Sequence, residues 1–192
     1  MVPAAPTVPP LILAVGIQVP RKGHDVLIKS LSRVQDLTWN AIIVGAPVDA
    51  KYAAELVRLS QDTGLGDRIH FAGQVERDAL QLLYAKASLF ALATRYEGYG
   101  IVFDEALAHG LPIVTCATGA VSDTEPKDAG LLTPPDNPND FADSLRSMLT
   151  NRDSLHSYAL AAKAAGQALP GWPETAATIA SALATLQRAC TN

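Results

Sequence analysis

From Leu11 onward the chain repeats one pattern: a short apolar run closed by glycine or polar residues, then a longer stretch whose apolar positions recur at helical spacing. Runs that are apolar throughout read as strands buried on both faces, because a strand with one face in water would alternate. Leu11, Ile12, Leu13, Ala14 and Val15 form the first such run, and Gly16 ends it. Val26, Leu27, Leu31 and Val34 then share one face of a helix predicted over residues 24–35. Further strands are predicted at 41–45, 68–72, 88–93, 112–116 and 130–133, with helices at 50–62, 76–86, 101–109, 139–149, 155–168 and 174–188.

Strands alternating with helices predict an α/β fold, a Rossmann-like doubly wound, six-stranded, mainly parallel sheet with helices on both faces. In that arrangement the first and fourth strands lie side by side at the centre. Connections diverge to opposite faces there, and the crevice outside the carboxyl ends of the two strands receives ligands. The bordering loops are residues 16–23 and 94–100.

Composition narrows the picture. The 192 residues are 48% hydrophobic and 18% charged, which suits one compact unit and excludes a disordered chain. A net charge of −4, with no basic run, excludes general attraction to nucleic acid or anionic lipid, so an anionic ligand must be held by local groups. Cys116 and Cys190 show no CxxC spacing and predict no disulfide framework, in keeping with a reducing compartment. With no apolar run near the roughly 20 residues of a membrane span and no signal-peptide layout, the expected location is the cytoplasm. Residues 1–10 are dense in proline and read as a linker remnant or, on composition alone, equally as a disordered tail. The expected division is a linker at 1–10, a ligand-binding domain at 11–170 and a closing helical segment at 171–192.

The two bordering loops carry the distinctive chemistry. Glu97-Gly98-Tyr99-Gly100 precedes a predicted helix, whose first turn offers unpaired N–H groups and positive potential to an anion. A tight strand-to-helix turn needs glycine for steric reasons alone, so this signal is weak by itself. It is neither a dinucleotide fingerprint nor a P-loop, since the third glycine and the Gly-Lys-Ser/Thr run are absent. Opposite, Arg21-Lys22-Gly23 stands at the predicted start of a helix, where the dipole disfavours cations; the pair reads either as exposed, solvated charge or, facing the glycine loop, as a site where a bound phosphate would resolve the conflict. Glu105 follows Ile101 and Val102 at helical spacing and is expected on their inward face, where a carboxylate needs a partner. Glu97 and Glu105 admit three readings: surface charges, a metal or acid/base pair, or acceptors for ligand hydroxyls. The four histidines, His24, His70, His109 and His156, lack ligand spacing and read as structural.

The run from Arg95 through Glu97-Gly98-Tyr99-Gly100-Ile101-Val102-Phe103-Asp104-Glu105 to Val114 closely resembles the E-x7-E segment of group 1 (family 4) retaining glycosyltransferases of the GT-B fold. Residues 15–23, 43–45, 67–73 and 130–135 resemble further segments of that family. The resemblance implies the C-terminal, nucleotide-sugar-binding half of a two-domain hexosyltransferase. Catalytic roles would fall to Lys22 and Glu97. Lys22 would hold the diphosphate, Glu97 the donor sugar, Glu105 the ribose, and the amides of Gly98, Tyr99, Gly100 and Ile101 the sugar and phosphate. Gly16 and Arg21 would border the diphosphate, and Gly73, Gln74 and Val75 would line the base. Ile17 stands where many members carry an arginine, and Arg21 is the candidate replacement. No metal and no cofactor is implied beyond a UDP-, GDP- or ADP-sugar as substrate.

The resemblance also implies a missing N-terminal acceptor-binding domain, through which alone the full enzyme would be peripheral to a membrane. Residues 1–10 would then be the interdomain linker, and Trp172-Pro173 with the last helix the crossover that packs on the missing half. Two other readings stay open: a sugar-nucleotide epimerase of related architecture, and a non-catalytic nucleotide-sugar-binding or partner module. A glycosidase using Glu97 and Glu105 as its carboxylate pair is disfavoured, because it gives the basic loop no role.

Overall fold

The computed structural model of the chain describes residues 8–121 and 128–190. Six strands, β1 (Leu11–Val15), β2 (Asn40–Val44), β3 (Ile69–Gly73), β4 (Leu89–Leu92), β5 (Ile113–Cys116) and β6 (Gly130–Thr133), form one sheet in the order β3-β2-β1-β4-β5-β6. Every adjacent pair is parallel. The helices are α1 (His24–Leu31), α2 (Ala50–Asp62), α3 (Arg77–Lys86), α4 (Ile101–Ala108), α5 (Pro138–Thr150), α6 (Arg152–Ala168) and α7 (Trp172–Cys190). The predicted doubly wound topology, with β1 beside β4, is the one observed.

β1 explains why the sheet needs helices on both faces. Ile12 and Ala14 point into a cluster with Val26 and Leu27 of α1, Leu56 of α2 and Phe141 of α5. Leu13 and Val15 point the other way, toward Tyr84 of α3, Phe103 of α4 and Ala162 of α6. A strand alternates its side chains, so an all-apolar strand is stable only when both faces are covered. In register, Leu13 lies opposite Ile42 on β2 and Phe90 on β4, which fixes β1 at the centre.

Element ends follow local chemistry. Asp49, Asn137 and Asn151 cap α2, α5 and α6 by accepting backbone N–H bonds with their side chains. The first helix is shorter than residues 24–35: α1 ends at Leu31 and a 3-10 turn, Ser32–Val34, completes it. The carbonyls at the end of that turn take side-chain donors as well. Trp39 Nε1 donates to Val34 O at 2.8 Å and Arg68 Nη1 to Gln35 O at 2.9 Å. Arg68 also lies 3.7 Å over the Trp39 ring, fastening the start of β3 to that turn.

Residues 1–7 of the proline-dense start lie outside the described residues, as do the last two of the closing segment, 191 and 192. α7 spans most of that segment, with Ile179 and Leu183 exposed on it. No described helix is long and apolar enough to cross a membrane.

Candidate functional site

The loop after β1 does not run straight into a helix. Val19 is extended, Pro20 starts a separate 3-10 turn, Pro20–Lys22, and Gly23 ends it at φ 65° with its N–H on Pro20 O at 3.1 Å. This corrects the expectation that Arg21 and Lys22 stand on the N-terminus of a helix. They belong to the turn before α1, and the charged residue in the first turn of α1 is Asp25. Gly23 is also the point where this loop meets β4, since a Cβ on it would sit 1.8 Å from Ala93 O.

The loop after β4 is tied to that turn along its length. Arg95 N–H donates to Arg21 O at 2.9 Å, and Thr94 Oγ1 donates to Arg21 O at 3.2 Å. Arg21 Nη1 donates to Tyr96 O at 3.0 Å, and Arg95 Nη1 to Pro20 O. From behind, Thr118 Oγ1 donates to Arg95 O at 2.8 Å and Ala120 N–H to Glu97 O at 3.0 Å.

Between the loops lies an open cleft of about 530 Å³, lined by Arg21, Lys22, Tyr96, Glu97, Gly98, Tyr99, Gly100, Ile101 and Val102. Lys22 and Gly98, far apart in the chain, thus share one pocket. Lys22 and Glu97 are each 8% exposed, and Lys22 Nζ stands 2.5 Å from Glu97 Oε2. Arg21 Nη1 lies 3.9 Å from the other oxygen of the same carboxylate. Gly100 caps α4 and takes the Phe103 N–H on its carbonyl at 2.8 Å, while Ile101 and Val102 of the first turn line the cleft. Gly16 supports Lys22, because a Cβ there would press within 3.2 Å of the lysine stem.

Glu105 is placed differently from its expectation. The inward face of α4 is Phe103, Ala106 and Leu107, while Ile101 is 66% exposed on the cleft. Ile101 is apolar but begins the helix at the mouth of the cleft, so spacing counted from it pointed to the wrong face. Glu105 is half-buried beyond the cleft lining and accepts a 2.8 Å bond from Tyr84 Oη. Burial and that carboxylate push the Tyr84 hydroxyl far above its ordinary range, so it stays a donor. Val75 and Leu80 pack on the cluster that holds Tyr84, which brings the end of β3 to the same side of the sheet as α4. Gly73 ends β3 with open space where a side chain would be, and Gln74 is exposed.

Three residues that sequence reasoning gave no role hold the site together. Arg95 makes a two-pronged contact with Asp25, at 2.8 and 2.9 Å, and donates from Nε to Asp136 Oδ1 at 2.7 Å. Tyr52 Oη donates to Asp25 Oδ1 at 2.7 Å. The only sequence signal was two unexplained charges, Arg95 in the second bordering loop and Asp25 in the helix just after the first. Burial raises the pKa of Asp25, but the bonds from Arg95 and Tyr52 outweigh it and hold the carboxyl well below the usual range. The unfolded chain therefore binds the proton first as pH falls, so this contribution is full above about pH 4 and drains away below it. Thermal melts from pH 6 to pH 3 are expected to show a steeper loss of stability in the parent than in Asp25→Asn.

His24, the first residue of α1, is fully buried with Nε2 3.1 Å from Gly16 O. A carbonyl only accepts, so Nε2 carries the proton, and burial lowers the pKa and keeps the ring neutral. His109 stacks on Tyr84 and places Nδ1 2.8 Å from Glu105 O. Both are packing groups, as the sequence suggested. Burial pushes the Cys116 thiol up to about 11, which leaves it protonated and inert. Among the described residues, no group of three or more His, Cys, Asp or Glu side chains is placed to hold a metal ion.

A buried cation beside the first turn of α4, at the switch point of a parallel sheet, puts the chain among the Rossmann-like domains and its cleft where such sheets receive ligands. Within that class the family is definite: the chain belongs to the group 1 glycosyl transferases, whose family model matches residues 2–165. It is 30% identical over 185 residues to the GDP-mannose-dependent alpha-(1-6)-phosphatidylinositol monomannoside mannosyltransferase of Mycobacterium tuberculosis, covering 91% of this chain and 47% of that protein. Sucrose-phosphate synthase from Thermosynechococcus elongatus superposes with a TM-score of 0.83 at 29% identity, over 94% of this chain and 46% of that one. Anabaena HepE, solved in complex with UDP-glucose, superposes with a TM-score of 0.82 at 25% identity, over 91% and 48% of the two chains. The chain thus spans about half the length of each of these relatives. Its fold is the Rossmann-like half of a GT-B glycosyltransferase.

Proposed function

We propose that this chain is the donor-binding half of a retaining hexosyltransferase, which passes a sugar from a nucleotide diphosphate sugar to an acceptor hydroxyl across a second, acceptor-binding domain. The observation that carries this reading is the convergence of Lys22, Glu97 and the first turn of α4 on one cleft. Lys22 and the amides from Gly98 to Ile101 take the diphosphate. Glu97, an acceptor-only carboxylate, takes sugar hydroxyls. Arg21 reaches the same carboxylate from the next position in the turn, which supports it as the second cation where Ile17 offers none. Glu105, steadied by Tyr84, takes ribose hydroxyls, and Gly73, Gln74 and Val75 border the base.

In the reaction the bond from the anomeric carbon to the diphosphate oxygen breaks, and its electron pair stays on that oxygen. The acceptor oxygen bonds to the carbon, and the acceptor proton ends on the diphosphate. Negative charge grows on the leaving group, so Lys22 and the α4 amides stabilise the transition state more than the bound donor.

Calorimetric titration of this chain with UDP-, GDP- and ADP-sugars tests the reading. One donor class is expected to bind at micromolar to millimolar Kd, about −4 to −8 kcal/mol, without sugar transfer by this half alone. No binding by any of the three would overturn it.

A further inference from the structure

Lys22 is not an empty-handed cation. Its ammonium lies on the Glu97 carboxylate at 2.5 Å, with both side chains 11% exposed, so Glu97 occupies the place an anion bound by Lys22 would take. The other nearby cation, Arg21, is 3.9 Å from that carboxylate, is itself 45% exposed, and spends one donor on Tyr96 O. A pyrophosphate oxygen that captures Lys22 therefore strips Glu97 of its close partner. The displaced carboxylate stays in a confined site beside the incoming charge, a costly arrangement unless new donors reach it.

Two ligands meet this situation differently. A nucleotide sugar carries hydroxyls beyond its diphosphate, and these donate to an ionised carboxylate. A bare nucleoside diphosphate carries none there, and its terminal phosphate has a second ionisation near pH 6 that adds negative charge at neutral pH. From this exchange of partners we infer that Glu97 discriminates the loaded donor from the spent nucleotide. The sugar-bearing ligand gives Glu97 a replacement for Lys22. The bare diphosphate takes Lys22 and gives back only repulsion. Once the sugar is gone, Lys22 returns to Glu97 and the nucleotide is expelled, so the ion pair speeds product release as well as selecting the substrate. The inference rests on the reading of this cleft as a diphosphate-sugar site.

The test is calorimetric titration of this chain and of Glu97→Gln with GDP-mannose, GDP, UDP-glucose and UDP in chelator-containing buffer. For the nucleotide the parent prefers, the sugar-bearing form is expected to bind about tenfold or more tighter than the bare diphosphate, the size of a relieved like-charge contact. Glu97→Gln is expected to bind the bare diphosphate about tenfold tighter than the parent, bringing the two ligands within about threefold of each other. Equal affinity of the parent for both forms overturns the inference without any variant, so a misfolded Glu97→Gln cannot shelter it. A folded Glu97→Gln that binds bare diphosphate no tighter than the parent overturns it too. Both of those results leave the donor-site reading standing, whereas a parent that binds none of the four ligands removes that reading and the inference with it.

Discussion

Lys22→Ala is expected to lower the transfer rate of a two-domain enzyme carrying this half by roughly 100- to 1,000-fold, the usual cost of deleting one preorganised group that meets developing charge. The size follows from where the ammonium sits. It is almost out of water, is seated by the turn that Pro20 begins and Gly23 ends, and shares the cleft with the first turn of α4. Its exchange from Glu97 to the diphosphate takes place on binding, before charge develops in the transfer step. The same change leaves Glu97 buried without its close partner, and breaking a buried pair this way costs about 3–5 kcal/mol of stability. Rate and stability are separable. The double change Lys22→Met with Glu97→Gln removes both charges, and its thermal melt is expected to recover most of the loss while the rate stays low. Initial rates within about threefold of the parent for folded Lys22→Ala would refute the assignment.

The second large effect needs no partner domain. Gly23→Ala is expected to lower the melting temperature of this chain by roughly 5–20 °C, from about 2–5 kcal/mol of combined torsional strain and overpacking. At φ 65° an L side chain is strained, and its Cβ would fall 1.8 Å from the Ala93 carbonyl oxygen, backbone at the end of the β4 region that cannot swing aside. To relieve the contact the loop after β1 must lift from β4, and Lys22 would lift with it. Gly64→Ala is the control, because its φ of 73° imposes similar torsional strain with nothing within 4 Å of the added carbon. That variant is expected to lose only about 1–2 kcal/mol. Melts of the two variants within 2 °C of each other, roughly 1 kcal/mol, would show that close approach at Gly23 is not what constrains it.

The fold was legible because its cause is local and repeated. An unbroken apolar run such as Leu11 to Val15 has one stable solution, a strand covered on both faces, and six short strand-forming runs separated by helical periods leave little choice of topology. The ends were less legible. α1 ends at Leu31 and passes into a 3-10 turn whose end is held by Trp39 and Arg68 from elsewhere in the chain, contacts that periodicity does not register. The same limit misplaced Glu105. Ile101 counts as a core residue in any pattern, yet it is exposed at the lip of the cleft, and the face inferred from it was about half a turn out of phase.

What the sequence by itself determined is the sheet, its strand order, and which two loops would meet, since these follow from hydrophobic period and from the carboxyl-end rule of parallel sheets. Residue types alone also marked Lys22, Glu97 and the glycines between them as chemistry worth joining. Only the tertiary structure decided that Lys22 already holds Glu97, that Arg21 reaches the same carboxylate, and that Arg95, Asp25 and Tyr52 lock the loops behind them. The physical reason is distance along the chain. Hydrophobic burial is written residue by residue, whereas an ion pair between positions 75 residues apart exists only once the folded backbone has fixed both ends.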